Sequence, residues 1–294
     1  MKIRIIAPLH LTRPEFDIQC GDYWVKKDLE DEFTRRGYEI VEENSDVDFY
    51  LFGRYTYSSY LTAPRRFCWV YSHPNVILRD NKWKKFSKQF EHIFVLSNKF
   101  LSKVGNNSSV LLGASSKEFI PREKDPKYDL VFVGNAKKAT RVELMEYLIK
   151  LDKYNICLVG NGWDVKLGNQ IKKVDYRGSY IENSKLGEFF NLGALSFYSA
   201  HEDMRVWGFV AVRILDIFRS SENLCISDDN HGLKDIFRSI PTYKNKEELS
   251  ERIDYFLSHP NELKEVALKC REDSKQWTFE KTVTEFEKWL YNTT

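Results

Sequence analysis

Residues 193–236 read GALSFYSAHEDMRVWGFVAVRILDIFRSSENLCISDDNHGLKDI, and their pattern decides the fold. Ala194 to Tyr198 is a short apolar run bounded by Gly193 and by the polar residues Ser199, His201, Glu202 and Asp203, as a buried parallel strand is. Val206 to Arg219 follows with Val210, Ile214, Ile217 and Phe218 at helical spacing and Gly208 near its start. A second apolar run then leads into Ser227 and Asp228. Strand, charged loop, helix, strand is the repeating unit of an open parallel α/β sheet, in which ligands lie outside the carboxyl ends of the strands. His201, Glu202, Asp203 and Arg205 fall at that edge, and the N-terminus of the next helix faces it. Its unpaired N–H groups and partial positive charge suit a phosphate, and Arg205 and Arg213 add a bidentate clamp. Asp216, one turn further on, can accept two hydroxyl hydrogen bonds from a ribose or hexose. The combination suits a sugar nucleotide. The plainer reading makes Asp203 and Arg205 a surface ion pair and leaves Asp216 solvated, the ordinary fate of isolated charges.

The same stretch carries Asp203-Met204-Arg205, Gly208-Phe209, Arg213-Ile214-Leu215-Asp216, Ser227-Asp228 and Gly232-Leu233. In these it resembles the carboxyl-terminal domain of CgeB-like glycosyltransferases, a branch of the GT-B superfamily with a group 1 type C-terminal domain. The pattern W-x-x-S-H-P from Trp69 to Pro74 belongs to the likeness, as does Phe132-Val133-Gly134-Asn135 followed by Arg141. The small-residue segment A-x-G of those relatives is replaced by Phe218-Arg219-Ser220-Ser221, which puts in question the close backbone approach that it allows.

The resemblance implies an α/β fold of GT-B type: two Rossmann-like, doubly wound domains facing a cleft, with a C-terminal helix crossing back to the first. The divisions expected are 1–122 for the acceptor side, 123–276 for the nucleotide-sugar side and 277–294 for the crossing helix. Asp203, Asp216, His201, Gly208 and Phe209 would meet the donor ribose or sugar. Gly160, Gly178, Ser179 and Tyr180 would meet the nucleobase, since the corresponding donor-domain loop offers backbone hydrogen bonds to it.

Length and composition agree with two domains of ordinary size. With 42% hydrophobic and 30% charged residues and no apolar run long enough for a bilayer, the chain reads as a soluble, cytoplasmic protein with no transmembrane segment. The opening MKIRIIAPLHLTRP is too short in its apolar part for a secretion signal and reads as a strand. Five scattered cysteines lack metal-ligand spacing and indicate a reducing compartment. A formal charge of +2 argues neither for nor against a polyanionic partner.

Along the chain, Lys2 to Ala7 and Val47 to Phe52 read as strands around a helix from Tyr23 to Arg36, with no G-x-G-x-x-G phosphate loop. The first domain is thus a poor dinucleotide binder, and its loop from His10 to Asp22 is free for an acceptor. Phe67 to Tyr71, ending in Ser72-His73-Pro74, and two further short runs complete a doubly wound pattern. Residues 114–128, polar with two prolines, read as the linker. The second series opens with Asp129 to Val133, where Gly134 and Asn135 precede basic residues and Arg141 at a helix start, a second anion site. Trp163 reads as core.

Taken together, the expected donor-diphosphate residues are Gly134, Asn135, Arg141, Arg205 and Arg213. The activity implied is a hexosyl- or pentosyltransferase moving a sugar from a nucleotide-diphosphate sugar to a glycan, lipid-linked sugar or protein. No cofactor and no metal are expected, because the only D-x-D, Asp46-Val47-Asp48, reads as a turn opening a strand. An inverting reaction needs a base, for which His73, Asp22, Asp17 and His10 are the candidates. Two alternatives stay open: a phage-type DNA glycosyltransferase acting on a hydroxymethylated base, and a non-catalytic module binding a nucleotide sugar or nucleic acid. The nucleic-acid reading requires a basic stripe on one face.

Overall fold

Val47–Phe52 (VDFYLF) has all six residues buried, which a strand achieves inside a sheet covered on both faces. The computed structural model, which describes residues 1–7, 21–53, 61–79, 81–105 and 107–291, places it in one of two six-stranded sheets. Every strand pairing in both sheets is parallel. The chain divides into two compact units, and the division is not sequential: residues 202–211 and the segment from Trp277 join residues 1–116, while 117–201 and 212–276 make the second unit.

The first sheet comprises β1 (Lys2–Ile6), β2 (Glu39–Ile40), β3 (Val47–Phe52), β4 (Arg65–Val70), β5 (His92–Val95) and β6 (Ser108–Val110), in the order β2-β1-β3-β4-β5-β6. Alternation along β3 sends Phe49 to one face and Tyr50 and Phe52 to the other. Phe49 meets Phe33 of the helix Gly21–Arg35 and Phe286 of the helix Phe279–Tyr291, with ring centroids 6.4 and 4.8 Å away. Phe286 also touches Phe67 and Phe94. Removing that one ring would cost about 3–5 kcal/mol, the usual loss for a buried phenylalanine. On the opposite face Phe52 packs on Trp83, and Tyr50 on Phe86 and Phe90. The helical connections from β4 to β5 and from β5 to β6 therefore form the second layer.

Polar contacts secure the first layer. Arg36 ion-pairs with Glu287 and donates to Thr284 Oγ1 at 2.7 Å, while Arg65 Nη1 caps the helix end at Leu290 O (2.6 Å). Asp48, the second acid of the D-x-D, is fully buried. It accepts from Arg4 Nε and Nη2 (both 2.9 Å), Ser45 Oγ, and the Thr62 and Ala63 amides. Burial pushes its carboxyl up, but these donors outweigh burial and hold it below the usual carboxylate range. Asp48 is thus a structural anchor.

The second sheet comprises β7 (Tyr128–Val133), β8 (Ile156–Val159), β9 (Asp175–Tyr176), β10 (Gly193–Tyr198), β11 (Leu224–Asp228) and β12 (Thr242–Tyr243), in the order β12-β11-β10-β7-β8-β9. Strand order reverses between β10 and β7. Leu130, Leu158, Leu195 and Ile226 are fully buried, and Phe132 and Phe197 lie 4.6 Å apart across the two central strands.

The helix expected from Val206 to Arg219 is two helices, Glu202–Trp207 and Val212–Ser220. The first stops because Gly208, at φ 75°, turns the chain back: its amide donates to Arg205 O, and the Phe209 amide to Met204 O at 2.8 Å. Phe209 is fully buried against Phe100, and Trp207 Nε1 donates to Asn75 Oδ1, which binds residues 202–211 to the first unit. The close approach in question at Phe218–Ser221 is made from the other side. A methyl group on Gly187 would fall 2.7 Å from Ser220 O, and Ser220 and Ser221 hydroxyls close the helix end on Asp216 O and Ile217 O.

Candidate functional site

The order reversal between β7 and β10 is where a doubly wound sheet opens a crevice. Gly134 and Asn135 leave β7 there, and Ser199 leaves β10. Arg141, in the first turn of the helix Ala139–Lys150, joins the two exits: Nη1 donates to Asn135 O at 2.8 Å and Nη2 to Ser199 O at 3.1 Å. Lys138 Nζ reaches the same Ser199 carbonyl at 3.1 Å. The loop is held in turn from β11 and β12. Ala200 N donates to Asp228 Oδ2 (2.7 Å), and the Tyr243 hydroxyl to Tyr198 O (2.9 Å).

Burial pushes the Arg141 guanidinium below its ordinary value and Arg213 adds to that, while Tyr198, Tyr243 and Asp228 act in the opposite direction. It stays charged, as arginine does throughout the accessible pH range. Among the described residues its Nε is buried without a hydrogen-bond partner, and so is Nη1 of Arg213. The latter lies 3.5 Å from Asp216 Oδ2, within ion-pair range but without hydrogen-bond geometry. Buried N–H donors on charged groups left unsatisfied are costly. Arg122, Arg219 and Arg271 each bury such an Nε as well, and what sets Arg141 and Arg213 apart is that their charges act on one another beside the strand-order reversal. An anion with several oxygens is the ligand that matches them.

Next to this corner the loops after β7, β8 and β9 are laced together. Gly160 N donates to Gly178 O (3.0 Å), Tyr176 hydroxyl to Gly160 O (3.0 Å), and Trp163 Nε1 to Gly134 O (2.6 Å). Asn161 N donates to Asn135 Oδ1 (2.9 Å). A Cβ on Gly160 would lie 2.1 Å from Gly134 O, so only glycine fits. Trp163 is fully buried, as expected of a core residue. The amide and carbonyl of Gly160 and the carbonyl of Gly178 are already used within the protein. Ser179 and Tyr180, both exposed, are the residues of that loop with side chains open to a ligand.

The remaining expected residues divide between the two units. Asp216, Arg213 and His201 belong to the second unit, whereas Asp203, Arg205, Gly208 and Phe209 fall in the segment that joins the first. Arg205 is exposed and does not pair with Asp203, whose Oδ1 accepts from the Met204 amide (2.9 Å). The phenyl ring of Phe209 is core. His73 follows β4 with its Nδ1 3.1 Å from Ser72 Oγ. His10 and Asp17 lie outside the described residues, as does the side chain of Asp22. Among the described residues no group of three or more His, Cys, Asp or Glu is arranged to hold a metal, and no helix is long and apolar enough to cross a membrane. Sequence reading missed Tyr198 and Tyr243, and it took Lys138 only as one of the basic residues of its loop. Lys138 stood in the same basic loop as Arg141, but its bond to Ser199 O spans 61 residues and leaves no local trace.

Two parallel, doubly wound sheets with the strand orders given above define a GT-B fold. Among solved structures, Anabaena HepE in complex with UDP and glucose superposes with a TM-score of 0.65 at 10% identity, covering 99% of this chain and 100% of that one. AviGT4, a glycosyltransferase involved in avilamycin A biosynthesis, gives 0.63 at 13% identity, covering 98% and 96%. T4 phage BGT in complex with its UDP-glucose substrate gives 0.62 at 11%, covering 98% and 99%. Residues 141–288, half of the chain, match the family described as glycosyl transferase-like, and the chain belongs to that family. No curated protein matches it in sequence.

Proposed function

We propose that this glycosyltransferase takes its sugar from a nucleoside diphosphate donor bound by the second unit, with the diphosphate against Asn135, Lys138, Arg141 and Arg213. The observation that carries this reading is the pair of buried guanidinium N–H groups without acceptors, Arg141 Nε and Arg213 Nη1, at the strand-order reversal. In the reaction the bond from the anomeric carbon to the diphosphate oxygen breaks, a bond to the acceptor oxygen forms, and the acceptor proton passes to a base. Negative charge grows on the leaving diphosphate, and three fixed cations stabilise it without reorganising. Charge neutralisation by these side chains makes the transfer metal-independent in this reading.

Asp216 and His201 are proposed for the ribose or sugar, and Ser179 and Tyr180 for the base. Uridine nucleotides are the first choice, since HepE and BGT are similar in fold and hold UDP or UDP-glucose. The first unit carries the acceptor hydroxyl, with His73 as base, and the CgeB-like branch is the proposed subtype.

The test is thermal denaturation of the full chain with a panel of nucleotides and nucleotide sugars, with and without chelator. A ligand of the folded state at a hundred times its Kd adds about 2.7 kcal/mol. The expected result is a shift for uridine diphosphate sugars that survives chelator and is lost in Arg141→Gln. A shift abolished by chelator would replace the metal-free reading, and no shift with any nucleotide would remove the donor assignment. Arg205→Ala, run in parallel, reads whether the D-M-R segment contributes.

A further inference from the structure

The two layers of the first unit treat their charges differently. On the helix Gly21–Arg35 with the Arg36 that follows it, and on the helix Phe279–Tyr291, the cations are largely paired: Lys26 with Glu30, Lys27 with Asp31, Arg36 with Glu287, Lys288 with Glu285. In the opposite layer, Arg79, Lys84, Lys85, Lys88 and Lys103 are exposed and have no carboxylate partner among the described residues. The sequence from Asn75 to Lys103 holds only two acids, Asp80 and Glu91, and Glu91 is engaged by Arg65 at 2.8 Å. A chain whose overall charge is only +2 thus concentrates positive charge on one layer.

These cations share a face for a topological reason. Strands β4, β5 and β6 are adjacent, parallel and in sequence order, and right-handed crossovers put both connections on the same side of the sheet. The ring contacts of Trp83 and Phe86 with Phe52 and Tyr50 fix which side that is. The helices Asn75–Arg79 and Leu101–Val104 pack on each other, which brings Arg79 and Lys103 into one surface. Lys99 extends it, donating to Val206 O at 2.8 Å, and both Lys99 and Lys103 lie over the Trp207 ring at 6.0 and 5.6 Å.

We infer that this face docks the phosphate backbone of a nucleic-acid duplex. Because the first unit is the acceptor side in the function proposed above, and on that reading alone, the acceptor hydroxyl would be carried by the nucleic acid. The chemistry selects phosphates over a lipid surface. An interfacial segment needs apolar side chains to bury among acyl chains as well as basic ones. Here Trp83 and Phe86 are buried in the unit and outward positions 84, 85 and 88 offer ammonium groups, while Leu78 is the one exposed large apolar side chain among the described residues from 75 to 103, too little to anchor the layer among acyl chains. Lysines act as point charges rather than bidentate readers of bases, so the surface suits sequence-independent backbone binding.

The experiment is fluorescence anisotropy of the full chain with a labelled DNA duplex across a salt series, for the wild type and for the combined variant Lys84→Glu, Lys85→Glu, Lys88→Glu. Each phosphate that the protein no longer neutralises makes the slope of log K against log salt shallower by about 0.9. The wild type is expected to bind with a clear salt dependence, and the variant to bind about tenfold or more weakly with a slope shallower by up to about three. Lys269→Glu with Lys275→Glu, in the second unit, is the control for added negative charge and should leave binding unchanged. The triple variant should keep its melting temperature and its nucleotide shift, which separates this surface from the donor site: a wild type that binds duplex but no nucleotide fails the donor reading alone. Duplex binding that is absent, unaltered in the triple variant, or equally weakened in the control overturns the inference. Co-sedimentation with phosphatidylserine vesicles that the triple variant loses, without salt-dependent duplex binding, overturns it in favour of a lipid surface.

Discussion

His73 sits in the left-handed region at φ 50°, directly before Pro74, where a preceding residue ordinarily takes an extended conformation. Such a backbone costs of order 1–3 kcal/mol and persists where the surroundings over-determine it, commonly at reacting centres. If His73 takes the acceptor proton, His73→Asn should lower kcat by about 10²–10⁴ with donor affinity and melting temperature retained, because asparagine tolerates the left-handed region. Steady-state kinetics beside a donor titration would check it, and a change confined to KM would make His73 a positioning residue. Single side chains also mark where sequence reading reached its limit. Arg141 was legible because it opens a helix one loop after Gly134. Arg205 drew equal weight from its neighbours Asp203 and Gly208, and it is exposed with no carboxylate partner among the described residues. What distinguishes the two is burial and the bond from Arg141 to Ser199 O, 58 residues further along the chain, and neither property is local.

Among the elements, apolar runs located the central strands of both sheets, since strands buried on both faces are apolar throughout. The two-residue edge strands β2, β9 and β12 carry too little pattern to fix their ends. Helical periodicity ran through Gly208 because Val206 and Val210 fit the same spacing as Ile214 and Ile217, although the hydrogen bonds to Met204 O and Arg205 O end the first helix there. The feature that most directly shapes the proposed donor corner is the lacing of the β7, β8 and β9 exits through Gly160. Gly160→Ala would add a methyl 2.1 Å from Gly134 O at φ 146°, so it should destabilise the second unit by about 3 kcal/mol, the upper end for overpacking joined to backbone strain. It should also weaken nucleotide binding more than Ser179→Ala, because it displaces the Gly134 and Asn135 segment. Denaturant melts and a nucleotide titration of both variants read the difference, and an unchanged Gly160→Ala melt would contradict the close approach.

The molecule as a whole couples its segments in a way that a linear reading divides. Residues 202–211 and the segment from Trp277 belong to the first unit, and the physical reason lies in ring contacts such as Trp207 and Phe209 on Phe100 and Phe286 on Phe49. His92 closes the same unit: its ring stacks on Trp289 at 3.6 Å, with Nδ1 near Asn107 Oδ1 and Nε2 near Ser109 Oγ. Burial lowers its affinity for a proton, more than Asn107 restores it. An imidazole whose folded pKa lies below its unfolded value takes up a proton on unfolding. Its contribution to stability is therefore complete above about pH 6.5 and is lost as the pH falls below that. Asp48, also held low, contributes fully above about pH 3.9 and loses its contribution as the pH falls further. Acid should thus weaken the first unit in two stages, the earlier one set by His92. Urea midpoints followed by tryptophan fluorescence should fall between about pH 7.5 and 5.5 in the wild type, and fall again toward about pH 3.5. His92→Gln should start lower at neutral pH, without the stack on Trp289, but hold nearly level through the first stage while keeping the second. Equal declines in both proteins between about pH 7.5 and 5.5 would show that the proton taken up on unfolding is bound elsewhere than at His92.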